Sequence, residues 1–267
     1  MDITCSIVTY QDEPEVVRQA VASFLRVKAT KRLFVIDNSP DEHLKTFLKP
    51  DENELFYIKT EKNLGFGKAH NIALRKAVEE SKYHLVLNPD VSFAEGTLEK
   101  LIDYLDRNPA VGAVIPKVLD SQSSIQYLCR RLPTPWVLII RRMRSEFLTK
   151  IFDRPLSRYN MREKDYTLSF EAPSLSGCFM LIRTAALQKV GFFDERFFLY
   201  MEDVDLTRRI HRHFKTGYFP DAQILHIHAR KSYEWNHQLI IHVRSAIKYF
   251  NKWGWLFDLE RDSINRK

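Results

Sequence analysis

The chain has 267 residues, of which 45% are hydrophobic and 28% are charged. It is long enough to bury a substantial core without disulfides or metals, and its composition excludes a miniature disulfide scaffold, a collagen-like fibre and a fully disordered protein. Cys5, Cys129 and Cys178 form no CxxC pair, so we expect buried free thiols and not a disulfide framework or a cysteine zinc site.

The formal net charge of +7 is concentrated in two stretches. Residues 129–163 contain nine basic and three acidic residues, and residues 207–252 contain nine basic and two acidic ones. Such blocks suit phosphates, nucleic acid or an anionic membrane face. No run approaches the ~18 apolar residues that span a bilayer, and Asp2 stands where a secretion signal would be basic, so we expect neither a spanning segment nor a signal.

In the first half of the chain, short β-branched runs alternate with helical stripes, which predicts an α/β domain with a mostly parallel sheet. In chain order, strands are predicted at 3–10, 32–38, 55–60 and 83–90, and helices around 16–24, 69–77 and 98–105. Ligands of such sheets bind beyond the carboxyl ends of the strands. Asp12, Asp37, Asn63 and Asp90 stand at or just past those ends.

The alternation breaks at 129–172, where apolar residues from Trp136 to Ile151 recur at helical spacing among arginines. This predicts a basic amphipathic helix, which either packs on the core or lies on a membrane. The remaining predicted elements are a strand at 177–183, a helix at 185–190, a strand at 223–228 and a helix at about 237–252. We therefore expect one domain over 1–235 and an amphipathic helical segment over 236–267.

Two strand-end motifs are weak individually. NLGFGKAHN (63–71) lacks the third glycine of a dinucleotide fingerprint and the GKS/T of a P-loop, so an anion at the helix start and a plain turn both stay open. In VIDNSPD (35–41), Asp37 either accepts hydrogen bonds from a nucleobase or ribose or forms the turn.

The LNPD motif gives a stronger signal, because a buried strand runs directly into Asn88 and Asp90. The side-chain oxygens of these two residues are hard ligands that suit a divalent cation beside a diphosphate. Asp90 could also cap the next helix. In HIHARKS, His226 and His228 stand two apart at a strand end. A histidine at this position, together with a carboxylate, can complete a divalent-cation site, although histidines on a strand are commonly structural. Arg230 adds a positive charge that suits a phosphate.

The most specific cluster places four acids among aromatic residues: Asp194, Glu202, Asp203 and Asp205. Apolar neighbours remove solvent from a carboxylate, which raises its pKa and favours a base that works near neutrality. If a helix begins near Glu202, Asp203 projects from its first turn into the mouth of the sheet and Asp205 lies on a different face. A favourable interaction with the helix dipole explains why one acid stands at a helix N-terminus. It does not explain why four acids stand among aromatic residues.

In this order and spacing, VTYQDE, VIDNSPD, NLGFGKAHN, LNPD, LSGCFMLIR, FDERFFLYMEDVDL and HIHARKS resemble the inverting glycosyltransferases of family 2, and most of all the bacterial rhamnosyltransferase-like branch. The resemblance reaches about Trp255. It implies a GT-A fold, a nucleotide-sugar donor on residues 1–120, an acceptor on residues 121–235, and Mg²⁺ or Mn²⁺ between them.

The resemblance also implies roles for individual residues. The expected nucleotide-sugar contacts are Thr9, Tyr10, Asp12, Asp37, Asn38, Asn63, Gly65, Asn71, Asn88 and Arg230. Asn88 and Asp90 match the DxD-type metal motif, with an asparagine in place of the first acid. Glu202 and Asp203 match the ED motif, whose aspartate is the general base.

The metal ligands implied are Asp90 with His226 or His228. The reaction implied is transfer of L-rhamnose from dTDP-rhamnose, or of a sugar from a UDP-galactofuranose, UDP-hexose or UDP-N-acetylhexosamine donor, to a hydroxyl of a glycan or lipid-linked glycan. The expected location is the cytoplasm, at the anionic inner face of the cytoplasmic membrane.

Three other interpretations are open. A nucleic-acid-binding protein is disfavoured because aromatic residues in the basic stretches recur at helical spacing and not as an exposed stacking platform. A two-metal nucleotidyltransferase would need more than one carboxylate at 88–90. A catalytically silent sugar-nucleotide binder is disfavoured by the intact Asp90 and Asp203.

Overall fold

The computed structural model describes residues 1–50, 53–142, 152–227 and 235–266. Its strands are β1 (Ile3–Thr9), β2 (Lys31–Asp37), β3 (Leu55–Lys59), β4 (Tyr83–Leu87), β5 (Val91–Ser92), β6 (Val111–Leu119), β7 (Cys129–Arg130), β8 (Phe170–Glu171), β9 (Ser174–Leu175), β10 (Phe179–Arg183) and β11 (Lys215–His226). They confirm each predicted strand, and the central strand β6 was not predicted.

Helices connect and cover these strands. They are α1 (Pro14–Leu25), α2 (His43–Leu48), α3 (Phe66–Glu80), α4 (Thr97–Arg107), α5 (Pro135–Arg142), α6 (Asp153–Tyr159), α7 (Thr184–Val190), α8 (Glu202–His211), α9 (Trp235–Trp253) and α10 (Leu259–Arg266). The amphipathic helix predicted within 129–172 is confirmed as α5 for its first part, and residues 143–151 lie outside the described ones.

The main sheet has the order β3-β2-β1-β4-β10-β6-β11-β5. β3, β2, β1 and β4 are mutually parallel, and β6 is parallel to β11. Between these groups β10 is antiparallel to both neighbours, so that Leu181 pairs with Leu85 on one side and Val114 on the other. The expected mostly parallel sheet is confirmed, but β10, β5 and β8 run antiparallel to their neighbours, a direction that an apolar run cannot reveal.

The sheet supplies the main hydrophobic core. Ile7, Leu85 and Leu181 are completely buried in it, and helix α3 covers one face through Ala69 and Ala73. The three cysteines are free and buried, as expected. Buried apolar area, about 25 cal/mol for each Å², is the principal force that holds these layers together.

The carboxyl-terminal helices pack on α8. Arg208 of α8 is 1% exposed and donates to Asp258 at 2.6 Å and to Glu260 at 2.7 Å, with its guanidinium 4.1 Å from the centre of the Trp253 ring. The predicted helical end is thus confirmed, and it is joined to α8 through the ion pairs of the buried Arg208. No helix among the described residues is both long and apolar enough to cross a bilayer.

Five of the nine basic residues at 207–252 form ion pairs with acidic side chains of the described chain. The ion pairs are Arg208 with Asp258 and Glu260, Arg209 with Asp205, Arg212 with Glu260, Lys215 with Glu171, and Lys252 with Asp194 and Asp205. The net charge of this stretch is therefore larger than the positive charge that its described residues leave available to an anionic partner.

Candidate active site

At the carboxyl ends of β1 and β2, Asp37 is completely buried. Its Oδ1 accepts hydrogen bonds from Thr9 Oγ1 at 3.1 Å and from the Ser39 amide at 2.8 Å, and its Oδ2 accepts one from the Tyr57 hydroxyl at 2.5 Å. Burial, together with the bond to Asp37, raises the pKa of Tyr57, so the phenol stays a donor. This β1–β2 edge is therefore held by its own hydrogen bonds.

The loop before α3 is tied to the same edge. Asn38 Nδ2 donates to the Gly65 carbonyl at 3.1 Å, and the Gly65 amide donates to Asn63 Oδ1 at 2.9 Å. Gly65 has φ +80°, and a Cβ there would lie 2.1 Å from the Phe198 carbonyl oxygen, so only glycine fits. The Phe66 amide donates to that carbonyl at 2.9 Å, which joins the loop to the segment that leads into α8.

Three other residues expected to contact the nucleotide, Tyr10, Asp12 and Asn71, form hydrogen bonds within the protein. The Tyr10 amide donates to Asp12 Oδ2 at 2.9 Å, which orders the turn after β1. Asn71, 1% exposed within α3, donates to the Phe193 carbonyl at 2.9 Å and accepts from the Phe193 amide at 3.0 Å. Its side chain braces the aromatic segment before α8, and any contact with a nucleotide stays a prediction.

Asp90 and His226 are brought together by the pairing of β5 with the end of β11. His226 Nε2 lies 3.3 Å from Asp90 Oδ1, and Oδ1 is buried and accepts no hydrogen bond from any described residue. His226 Nδ1 lies 3.0 Å from Gln126 Oε1, which fixes the ring with Nδ1 as donor and leaves the Nε2 lone pair directed at Asp90.

This pair fits a divalent cation. Two ligands on one cation, each about 2.1 Å from it and at right angles, lie about 3 Å apart, close to the observed separation. Gln126 holds the histidine as an outer-shell partner does. No group of three or more His, Cys or acidic side chains placed to hold a metal occurs within the described ranges, and His228 lies outside them.

Glu202 and Asp203 begin α8, where the backbone has just passed through left-handed conformations at Tyr200 and Met201. Glu202 is 4% exposed, and burial, reinforced by the charge of Asp203, raises its pKa to about 8. Asp203 Oδ2 accepts from the Gly177 amide at 3.2 Å and Oδ1 from the Val204 amide at 2.8 Å.

The other two acids of the cluster are structural. Asp205 is completely buried and accepts from Arg209 at 2.9 Å and from Trp253 Nε1 at 2.8 Å. Lys252 lies 2.6 Å from Asp205 and 2.8 Å from Asp194, whose pKa is held below its usual range by its hydrogen bond from Arg196. Asp203 accepts from Gly177, whereas Asp205 accepts from Arg209 and Trp253, so the different faces predicted for these two acids are confirmed.

One cavity of about 570 Å³ brings together the residues predicted to bind the metal and to act as the base. Asn88, Asp90, His226, Glu202 and Asp203 all line it, and we call it the acidic cavity. Several other lining residues were not predicted as site residues: Arg130, Arg141, Ser176, Tyr200, Gln238 and His242. Arg230 lies outside the described residues. The β1–β2 edge does not line this cavity, and Phe66, which follows its loop, does.

Comparisons with known proteins agree with this architecture. The family model described as "Glycosyl transferase family 2" matches residues 4–191. The chain is 28% identical over 230 residues to an N-acetylglucosaminyl-diphospho-decaprenol L-rhamnosyltransferase of Mycobacterium tuberculosis, covering 82% of this chain and 74% of that protein. It is 25% identical to Rhamnosyltransferase WbbL of Escherichia coli, covering 82% and 86% respectively.

Among solved structures, GalNAc-T7 with UDP, GalNAc and Mn²⁺ is similar in fold, with a TM-score of 0.67 at 14% identity. The likeness covers 94% of this chain but only 48% of that one, so the chain spans about half of GalNAc-T7. It supports the GT-A fold that the motifs predicted.

Proposed function

Because the chain belongs to glycosyltransferase family 2 and is a glycosyltransferase, we propose that it transfers L-rhamnose from dTDP-rhamnose, with inversion, to a hydroxyl of a lipid-linked glycan. The observation that carries the proposal is the acidic cavity, in which the Asp203 carboxylate shares one space with the Asp90 and His226 pair. The names of the two rhamnosyltransferase relatives support the sugar, and the name of the mycobacterial one supports a diphospho-lipid acceptor.

The donor nucleotide binds along the β1–β2 edge in this proposal. Polar groups at or beside its strand ends are offered by Thr9, Tyr10, Asp12, Asp37, Asn38, Asn63 and Gly65. Because the Asp37 carboxylate already accepts from Thr9, Ser39 and Tyr57, it would act mainly by holding these groups in place. Asn88 follows β4, the strand beside β1, and lines the acidic cavity, so the sugar and diphosphate would enter there.

Asp203 acts as the general base. Two backbone amides fix its carboxylate at the cavity wall, where it takes the proton of the acceptor hydroxyl as that oxygen attacks the anomeric carbon. The bond from the anomeric carbon to the diphosphate oxygen breaks in the same step, which inverts the configuration. Glu202, with a pKa of about 8, keeps its proton at neutral pH and does not compete as a base.

Asp90 and His226 would hold Mg²⁺ or Mn²⁺, whose positive charge stabilises the nucleoside diphosphate as it leaves. The two side chains are positioned by β5 and β11, and Gln126 keeps the imidazole in the tautomer that a ligand requires.

The acceptor reaches the cavity from an anionic membrane surface. Exposed apolar side chains surround the start of α10, with Phe257 91% and Leu259 86% exposed, and Trp136 of α5 is 67% exposed. A basic cleft between α5, α6 and α10 is lined by Arg131, Arg154, Arg158 and Arg266. Apolar side chains beside arginines are the combination that binds an anionic lipid interface, here the inner face of the cytoplasmic membrane.

The proposal is tested by incubating the protein and Mn²⁺ with an N-acetylglucosaminyl-diphospho-lipid acceptor and, separately, dTDP-rhamnose, UDP-galactofuranose, UDP-glucose and UDP-N-acetylglucosamine. The expected product adds one deoxyhexose, seen by mass spectrometry, and forms at least tenfold faster from dTDP-rhamnose. Faster transfer from a UDP-sugar would contradict the assignment of the donor.

A further inference from the structure

Arg130 projects into the acidic cavity from the short strand β7. This strand pairs with β9, and side chains alternate between its two faces. Cys129 is 2% exposed in the main core, and Arg130 therefore lies on the opposite face, where it lines the cavity with Ser176. The strand position directs a permanent positive charge toward the reaction space.

The guanidinium of Arg130 has unused bonding capacity. Its Nε is buried and donates to no atom of the described residues, and no ion pair to it is seen there. The adjacent Arg131 is different, because it donates to Glu163 at 2.5 Å, to the Arg158 carbonyl at 3.1 Å and to the Asn265 carbonyl at 3.0 Å. Partly burying a guanidinium without a carboxylate beside it lowers the stability of the fold, unless a bound ligand accepts its hydrogen bonds.

The cavity walls carry opposite charges. Asp90, Glu202 and Asp203 line it from β5 and α8, whereas Arg130 and Arg141 line it from the β7–α5 segment. The Arg141 guanidinium lies 5.5 Å from the centre of the Tyr159 ring, which also lines the cavity. No described residue of the β1–β2 edge lines this cavity, so the basic wall is separate from the edge where the donor nucleotide is proposed to bind.

We propose that Arg130, assisted by Arg141, binds the diphosphate of the acceptor. The inference rests on the proposed function and adds the residues that recognise the anionic part of the acceptor. Guanidinium groups make paired, charge-assisted hydrogen bonds to phosphate oxygens, and Arg130 Nε is a buried donor already inside the cavity. The acceptor sugar then extends from this wall toward Asp203.

The test compares two soluble acceptors, a short-chain N-acetylglucosaminyl diphospholipid and the same sugar on a neutral alkyl chain, in the wild type and in Arg130→Gln. We expect the variant to raise KM for the diphosphate acceptor about 10- to 100-fold, as for the loss of a charge-assisted bond. KM for the neutral acceptor and for dTDP-rhamnose should stay within about twofold. Arg130→Lys should restore part of the preference, and Arg107→Gln, on the exposed end of α4, should leave it unchanged.

Three results would overturn the proposal: a wild type that does not prefer the diphosphate acceptor, a variant that weakens both acceptors equally, or a rise in KM for the donor. The last would assign Arg130 to the donor diphosphate. A wild type that uses neither acceptor with any donor contradicts the proposed function itself. Calorimetry with inorganic pyrophosphate tests Arg130 independently of the proposed function. Even if neither acceptor is used, the wild type should bind pyrophosphate about tenfold more tightly than Arg130→Gln.

Discussion

At the β1–β2 edge the polar side chains bond to one another, whereas in the acidic cavity several buried polar atoms find no partner among the described residues. Asp37 accepts three hydrogen bonds from the surrounding protein. In the cavity, Asp90 Oδ1, Glu202 Oε2 and Arg130 Nε make none with the described chain. Each such atom costs about 1–3 kcal/mol, so a protein retains several in one place where ligands complete them. The hydrogen bonds of the edge are complete within the protein. In the cavity, bound substrates would complete the hydrogen bonds of these buried atoms under the proposed function.

Helix α8 shows the same contrast within four residues. Glu202 and Asp203 face the cavity, and Asp205 is saturated by Arg209, Lys252 and Trp253. Acids of one helix therefore have different surroundings: the proposed catalytic role belongs to Asp203, whereas Asp205 is held by buried ion pairs. Substitutions should divide accordingly between activity and stability.

The largest effect is expected for Asp203→Asn. Because this change removes the base but keeps the shape of the side chain, the transfer rate should fall about 10³-fold. The affinity for dTDP-rhamnose, measured by calorimetry with Mn²⁺, should change less than threefold, and the midpoint of urea unfolding should hardly move. A variant that keeps a tenth of the wild-type rate would refute the assigned base.

Asp205→Asn should act in the opposite way. It leaves Arg209 facing an amide in a buried site, which should lower the free energy of unfolding by about 3 kcal/mol. Urea denaturation at neutral pH measures this loss. The folded fraction should retain most of its affinity for the donor, and a stability equal to that of the wild type would show that Asp205 is not a structural acid.

Glu202→Gln should change how stability depends on pH. The pKa of Glu202 rises from 4.5 to about 8 on folding, so the folded state keeps a proton that the unfolded state releases between these values. The stability of the wild type should therefore fall by about 1.4 kcal/mol per pH unit relative to the variant, or about 2 to 3 kcal/mol from pH 5.5 to 7.5. Parallel urea-unfolding profiles of the two proteins would contradict a buried, protonated Glu202.

The smallest effect is expected at the exposed apolar residues of the carboxyl-terminal end. Phe257→Ser with Leu259→Ser should weaken binding to liposomes that contain anionic lipid by about tenfold, because two apolar side chains no longer enter the interface. Transfer to a short, soluble acceptor should be unchanged. If liposomes retain the variant and the wild type equally in a flotation assay, these two side chains do not contribute to membrane binding.

The family resemblance implied that Asp90 meets His226 or His228, whereas periodicity and strand-end chemistry predicted the α/β architecture and a helix that begins near Glu202. They could not predict the antiparallel direction of β10, because an apolar run carries no direction. They predicted different faces for Asp205 and Asp203, but not the pairing of Asp205 with Lys252, which is remote in the sequence. Arg130 looked like one arginine of a basic stretch, and only the pairing of β7 with β9 shows that it enters the cavity.

The central claim is a single displacement assisted by Asp203, and the anomeric configuration of the product tests it most directly. With dTDP-rhamnose as donor, the ¹H–¹³C coupling at the anomeric carbon of the purified product should show the configuration opposite to that of the donor. A product that retains the donor's configuration would require a second displacement on the enzyme and would contradict this account.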